Sequence, residues 1–396
     1  MIVVANHPAT MMDPLNAAAN FPRMVNFLAN SSLFKTRFNS WFFSTLYCIP
    51  IERYIDTGGK PINNDKAFEK ASEHLSKGGV ILMCPEGTSF SERHLRPIKT
   101  GCARIAFAAE RMNDFKLGLR ILPIGLTYDD GVSFRDRVVI NFGEPIEVSK
   151  FQKEEEKKVF GGVRALTKHI EAAFDQLIVN AKDKTQDLLL RDIETILQTE
   201  QPLNHKNHFF RAQKLAQQFK NWEQQQVDTV NAFTANATQY FQQLSHYKIT
   251  DWALKHATNN YFKWLILLLF SPVFLIGYLN HFVANYIPYW IAQKYVVHAC
   301  YYPTFKSLSG LFIYPMVYGL QAFAVAKITG YNLYGWLYLI MLFPLGYFTE
   351  WYQKVWKKTT AQWYAVKLKK VQSQVYDDLL SLRMQLWAQL QPLGVT

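Results

Sequence analysis

Three uncharged apolar stretches in the last third of the chain constrain its fold more than any other feature. The first runs from Trp264 to Leu279, the second from Leu308 to Ala326 and the third from Leu333 to Phe348. Each approaches the roughly 20 residues that a helix needs to cross a bilayer. Buried core helices are the competing explanation, because segments this short also occur inside soluble proteins. The flanks favour membrane insertion: Trp351, Tyr352 and Trp356 suit an interfacial aromatic belt, and Lys354, Lys357 and Lys358 follow at once. The mean hydropathy of the 396 residues is nevertheless only -0.09, which excludes a transporter that is apolar nearly throughout. The chain is therefore expected to join a water-soluble part to a greasy one.

Charge suggests an orientation. Residues 290–396 carry ten Lys and Arg against three Asp and Glu, which is +7 of the net +12. Basic residues beside apolar segments favour the cytoplasmic side and attract anionic lipid. The simplest arrangement is a helical hairpin spanning at 308–348 with both ends inside, the first segment being broken by Pro272 and dipping in or lying in the interface. Three full spans is the competing count. No signal peptide is visible, so the first 260 residues are expected in the cytoplasm. Nucleic-acid binding has little support, since the excess charge sits beside the apolar segments. Cys48, Cys84, Cys102 and Cys300 show no zinc spacing, and no metal or cofactor is expected.

Residues 1–150 read as α/β. The runs 2–5, 80–84, 120–128 and 137–142 are short, apolar and β-branched, as buried strands are. Helical patterns cover Lys66–Leu75 and Gly101–Arg111, so a helix-covered sheet is expected, with chemistry on the loops at strand ends. Residues 151–260 are expected to form a helical extension that connects the sheet to the anchor. A charge run at Glu154–Lys158 begins an amphipathic helix with Val163, Leu166, Ile170, Phe174 and Leu177 as its buried stripe. Leu215, Phe219, Trp222, Phe233, Tyr240 and Leu244 are packing positions further on. Membrane-embedded segments over 261–350 and a basic cytoplasmic helical tail over 351–396 complete the expected layout.

Three clusters in the first 150 residues could carry chemistry. From Asn6 to Pro14 the sequence reads N-H-P-A-T-M-M-D-P. A carboxylate that orients an imidazole makes a general base, and His7 and Asp13 are the pair. Asp13 before Pro14 also suits a helix N-cap, and the two roles are compatible. In the second cluster, Cys48 to Asp56, Arg53 could bind a phosphate or form an ordinary surface ion pair. The third, Cys84 to Arg93, contains the turn Pro85-Glu86-Gly87-Thr88, whose backbone N–H groups could face an anion. Arg93, Arg96, Lys99 and Arg104 add positive charge after it, or form a solvated face.

In this order the clusters resemble the four motif blocks of the glycerophospholipid acyltransferases, the glycerol-3-phosphate and 1-acylglycerol-3-phosphate acyltransferase family. His7 and Asp13 match the His–Asp block, Arg53 the second, Glu86-Gly87-Thr88 the third and Pro123 the fourth. The stretches Ser89–Ala106 and Phe134–Ile146 are similar to a bacterial subgroup with a greasy C-terminus. The resemblance implies a helix-covered mixed-sheet acyltransferase domain with C-terminal membrane helices at a bacterial inner membrane. It implies acyl-CoA or acyl carrier protein as donor, a glycerol-phosphate or lysophospholipid acceptor, and the bilayer as partner. Catalysis falls to His7 and Asp13, and substrate binding to Arg53, Glu86, Gly87, Thr88, Arg96, Lys99 and Pro123. Backbone N–H groups near Gly87 and Thr88 are expected to hold the oxyanion. The alternatives are a membrane-associated lipid hydrolase using the same pair and a non-catalytic lipid-binding protein of the same fold. Two departures stand out: five residues separate His7 and Asp13 where four are usual, and Ser89 stands where many members have Arg. The resemblance also implies more sequence ahead of Asn6 than the five residues present.

Overall fold

The computed structural model describes residues 1–53, 64–131, 136–158 and 160–394. Tyr54, Ile55 and Asp56 of the second cluster, and Phe134 and Arg135, lie outside the described residues. The chain forms two compact units, one of residues 1–184 with 298–304 and one of residues 185–297 with 305–396.

The first unit is built on the run Ile2–Ala5 (β1), four apolar residues that are all fully buried. A continuous apolar run is what a central strand requires, since both faces and both edges are covered. Strand β1 pairs in parallel with Ile81–Met83 (β4) on one side and Arg120–Tyr128 (β5) on the other, with Ile2 opposite both Ile81 and Ile121. Two further strands, Asn26–Asn30 (β2) and Cys48–Ile51 (β3), and an antiparallel pair member, Val138–Phe142 (β6), complete the order β3-β2-β4-β1-β5-β6. The short Ile146–Glu147 (β7) pairs antiparallel with β5. The sheet is thus mixed.

Alternate residues feed opposite faces. Ile2, Val4, Ile81 and Ile121 pack with helices Asp65–Ser76 (α3), Gly101–Arg111 (α4) and Gly161–Leu177 (α6), where Leu75, Phe107, Ile170 and Phe174 are buried. Val3, Ala5, Leu82, Ile124 and Leu126 form the other face with Ala17 of Met12–Ala19 (α1). Helix Arg37–Thr45 (α2) links β2 to β3.

Two expectations change here. The stripe Val163, Leu166, Ile170, Phe174 and Leu177 is buried as expected, but most of it packs on the sheet, which carries this unit past residue 150. The single helix expected from Glu154 is two, Gln152–Lys157 (α5) and α6. Between them Phe160 takes the left-handed conformation, at φ 60°. The chain can double back because a Cβ at Gly161 would lie 2.2 Å from the Glu154 carbonyl oxygen.

The second unit is helical: Lys184–Glu200 (α7), His205–Gln225 (α8), Val227–His246 (α9), Asp251–Lys255 (α10), Tyr261–Tyr295 (α11), Tyr302–Thr329 (α12), Asn332–Val371 (α13) and Ser373–Leu390 (α14). Helix α11 runs unbroken through Pro272 and Pro288, so the expected break at Pro272 does not occur. Among the described residues, Tyr261–Tyr295 and Ala299–Thr329 are long and apolar enough to cross a membrane, and only 11% and 17% of their apolar windows are buried. Core helices of a soluble protein would be mostly covered, so exposure favours lipid over a protein interior as their surroundings.

Within the expected hairpin over 308–348 the two helices touch, since a Cβ on Gly335 would come 2.8 Å from the Ala322 carbonyl oxygen and the Tyr338 hydroxyl lies 3.2 Å from Gln321, but both also pack on α11. Helix α13 lies along the first half of α11: the Tyr352 hydroxyl donates to the Leu267 carbonyl at 2.8 Å, and Phe274 stacks on Tyr352. Helix α12 instead meets the second half, where His281 bonds the Tyr318 hydroxyl at 2.7 Å and Tyr314 bonds Asn285 at 2.5 Å. A small residue permits the contact of α11 with α13. A Cβ on Gly277 would come 2.2 Å from the Thr349 hydroxyl, the close approach by which apolar helices gain packing energy.

Outside these helices the unit is held by Arg383 of α14. Its guanidinium donates to both oxygens of fully buried Asp251, at 2.8 and 3.0 Å, and also to Glu200; Tyr240 donates to Asp251 at 2.6 Å. Removing one partner from a buried pair strands the other charge. Arg383→Ala should therefore lose about 3–5 kcal/mol of stability, read as a lowered thermal unfolding midpoint of the detergent-solubilised chain.

Candidate active site

Where β1 ends, Asn6 continues its hydrogen bonding by side chain. The Asn6 amide donates to the Leu126 carbonyl at 2.9 Å and accepts from the Leu126 N–H at 2.7 Å. This pins the chain just before His7, which leaves the sheet at a strand end. The turn 8–11 then enters α1, with Asp13 the second residue of that helix. The N-cap is Met11, without a side-chain bond, so the capping role open to Asp13 is not the one it takes.

Asp13 is fully buried and bonds backwards. Its Oδ2 accepts from the Ala9 N–H at 2.7 Å and lies 2.9 Å from His7 Nδ1, while Oδ1 accepts from the Tyr128 hydroxyl at 2.9 Å. Asn16 in turn donates to that hydroxyl at 3.0 Å. A carboxylate with three donors aimed at it is an acceptor, hence ionised, and its place in the first turn of a helix favours the charge. His7 then carries its proton on Nδ1, which makes Nε2 the basic atom. The His7 side chain keeps 21% exposure where Asp13 has none, as a base that must reach a substrate requires.

Burial disfavours the charged imidazole, but the sulfur of Cys84 and the Asp13 carboxylate outweigh it and raise the His7 pKa well above its usual value. Burial likewise pushes Asp13 up against the pull of His7 and its other donors. The two directions describe a pair that retains one proton between them, and the donor geometry puts that proton on the histidine.

The third cluster wraps this pair. Glu86 accepts from the His7 N–H at 2.8 Å and from the Arg96 N–H at 3.1 Å, and the Phe90 N–H donates to the His7 carbonyl at 3.2 Å. Glu86 thus braces the backbone of both blocks. Gly87, at φ 74°, closes its turn by donating to the Cys84 carbonyl at 3.1 Å, which commits the N–H expected to face an oxyanion. Arg53 donates to the Gly87 carbonyl at 2.6 Å, and Lys99 crosses the same glycine so closely that a Cβ would meet its Nζ at 2.6 Å. Two expected cations therefore converge on the turn. Arg96 lies with its guanidinium 4.1 Å from the centre of the Phe90 ring and 3.7 Å from Glu92. Arg104 is on α4, over the Phe68 ring, and Pro123 is buried in β5 opposite Val4. Asn6, Asn16 and Tyr128 are the participants that the sequence analysis did not assign; the asparagine at the head of the His7 block was the available signal for the first.

Residues 1–127 match the family model described as Acyltransferase, in keeping with the fold of this part of the chain. Among curated proteins, the chain is 25% identical over 221 residues to glycerol-3-phosphate O-acyltransferase 1 of Saccharomyces cerevisiae, covering 54% of this chain and 28% of that one. It is 28% identical over 193 residues to 1-acyl-sn-glycerol-3-phosphate acyltransferase of Streptococcus pneumoniae, 47% of this chain and 63% of the relative. Glycerol-3-phosphate O-acyltransferase 2 of Saccharomyces cerevisiae is 37% identical over 87 residues, 22% of this chain and 12% of its own. The chain thus spans less than two thirds of the length of each of these relatives.

Asp13→Asn removes the negative charge that favours the imidazolium while leaving the burial that opposes it. The His7 pKa should fall, read by NMR titration of the ring protons, with the Cys84 sulfur still raising it in part.

Proposed function

We propose that the chain transfers a fatty acyl group from acyl-CoA or acyl carrier protein to a hydroxyl of glycerol-3-phosphate or 1-acylglycerol-3-phosphate. The observation that carries this is the pairing of His7 Nδ1 with fully buried Asp13 at a strand end, with Nε2 left as the base. The names of the relatives supply the acceptor class.

His7 Nε2 takes the proton of the acceptor hydroxyl as its oxygen attacks the thioester carbonyl. The C–S bond of the tetrahedral intermediate then breaks, and the imidazolium returns the proton to the leaving thiolate. Asp13 holds the tautomer and stabilises the imidazolium, so no acyl-enzyme is needed. Arg53, Lys99 and Arg96 supply positive charge for the acceptor's phosphate, which positions the hydroxyl. With the Gly87 N–H committed to its turn, the Thr88 N–H is the remaining donor of the expected pair for the oxyanion. The exposed apolar helices would hold the enzyme at a bilayer, and the cations of residues 290–396 favour a cytoplasmic catalytic domain and C-terminus.

His7→Ala in the purified full chain, supplied with acyl-CoA and either acceptor, should lower transfer by about 10²–10⁴-fold. Mass spectrometry of the products tests the class as well. Acylated acceptor is the expected product; free fatty acid formed without acceptor would mark a hydrolase, and near wild-type transfer by the variant would remove His7 from the mechanism. Because the base must be neutral to act and its pKa is raised, the acid limb of kcat/KM should lie above about pH 6.5. In Asp13→Asn that limb should move to lower pH while the plateau drops.

A further inference from the structure

The departure in spacing between His7 and Asp13 has a structural counterpart. The five residues between them include Thr10, a β-branched residue in the left-handed region at φ 50°. That conformation is costly for any residue with a branched Cβ and persists only where the surroundings enforce it. It lets the longer turn close: the Met12 N–H reaches the Ala9 carbonyl at 3.1 Å, and the Ala9 N–H and His7 Nδ1 reach the same oxygen of Asp13.

The contacts that hold it come from a segment nearly 300 residues further along the chain. Residues 298–304 form a seven-residue strap that belongs to the compact unit of the sheet. Thr10 and Thr304, both buried, share a hydrogen bond between their hydroxyls. The Thr10 hydroxyl also lies 3.3 Å from the Cys300 carbonyl, and the Met11 N–H donates to the Thr304 hydroxyl at 3.3 Å. These contacts form one consistent relay: Met11 N–H to Thr304, Thr304 O–H to Thr10, Thr10 O–H to Cys300. Each hydroxyl donates once and accepts once. A fourth contact, from the Cys300 thiol to the Ser89 carbonyl at 3.3 Å, fastens the strap to the stretch that follows Glu86-Gly87-Thr88. The strap therefore touches the His–Asp turn and the third motif block together. In the chain it is continuous with α11 before it and is completed by the first turn of α12, the two helices apolar enough to enter a bilayer.

We propose that Thr304, with Thr10, is a positioning pair for the transfer reaction: the strap between the two apolar helices holds the left-handed turn that aligns His7 on Asp13. This rests on the assignment of His7 as the base. Thr304 touches neither the imidazole nor the carboxylate in any contact above, so it acts through the turn. Loosening the turn lengthens the His7–Asp13 hydrogen bond, which lowers both the rate and the His7 pKa.

The test uses the full chain in detergent or phospholipid vesicles, with acyl-CoA and 1-acylglycerol-3-phosphate. Thr304→Val keeps the shape and deletes the relay; Thr304→Ser keeps the hydroxyl. The valine variant should lose about 10–100-fold in kcat, with the acceptor KM changed by less than about twofold. Its acid limb of kcat/KM should move to lower pH, and the serine variant should restore both rate and limb. A purely structural contact would lower the unfolding temperature without moving the limb. Thr10→Gly provides a second measurement should the valine variant not fold. Glycine enters φ 50° without a side-chain penalty but is not held there, so the turn can form while it loses both the relay and the restraint, and kcat should still fall.

The proposal is overturned if Thr304→Val keeps kcat within about twofold of wild type, if valine and serine lose equally, or if the limb stays in place. His7→Ala run in parallel separates the two levels. If that variant is inactive and Thr304→Val is not impaired, only the positioning role fails. If His7→Ala itself remains active, the assignment of the base fails and the positioning role with it.

Discussion

A carboxylate with no solvent exposure must be matched by donors, and much of the first unit serves to supply them to Asp13. A buried charge left unpaired costs several kcal/mol, so the turn, the strand and the helix that surround it are not free to move independently. His7 comes from the end of β1, Ala9 from the turn, and Tyr128 from the last residue of β5. Because β1 and β5 are adjacent and in register, with Ala5 opposite Ile124, the hydroxyl of Tyr128 lies beside the turn that leaves β1. The Asn6 side chain extends this pairing by one more position, against Leu126. The order of strands in the sheet is thus translated directly into the tautomer of one imidazole.

The same economy governs the turn at Gly87. Its N–H and carbonyl are both engaged, by Cys84 and Arg53, and Lys99 occupies the space a side chain would need. Glu86, the acidic member of the block, faces two backbone N–H groups and so ties the turn to His7. A cluster of cations around an exposed loop would ordinarily be mobile and weakly ordered. Here Arg53 is fixed by the carbonyl it contacts, which under the proposed phosphate role would reduce the entropy lost on binding.

Much of this was legible in the residue order. β1, β5 and α4 follow uninterrupted apolar or strongly periodic runs, and buried central elements must be written that way. β2 and β3 escaped notice because Asn26–Asn30 is polar at both ends and Cys48–Ile51 contains Pro50; both are partly exposed, β3 is the edge, and edge strands need neither alternation nor a full set of donors. The partnership of α13 with α11 was invisible for a different reason. Three apolar segments can pair in several ways at equal hydropathy, and the choice rests on single small residues such as Gly277. In the site, the His7–Asp13 pair could be found from sequence because both members lie on one short loop. Tyr128 and Thr304 could not, since their proximity depends on the sheet register and on a contact across 294 residues of chain.

That last separation bears on when the protein becomes competent during its synthesis. Thr10 leaves the ribosome nearly three hundred residues before Thr304 follows, and by then α11 has already been made. A sheet domain folded at that earlier stage would contain its histidine and its aspartate but not the hydroxyl that steadies the loop between them. Under the positioning role proposed for the strap, a nascent or prematurely terminated chain is a poor catalyst, and full capacity comes only with the segment that seeks lipid. On that reading the extra residue in the loop would act as a molecular proof of delivery, restraining the proposed acyl transfer until the segments proposed to moor the chain exist.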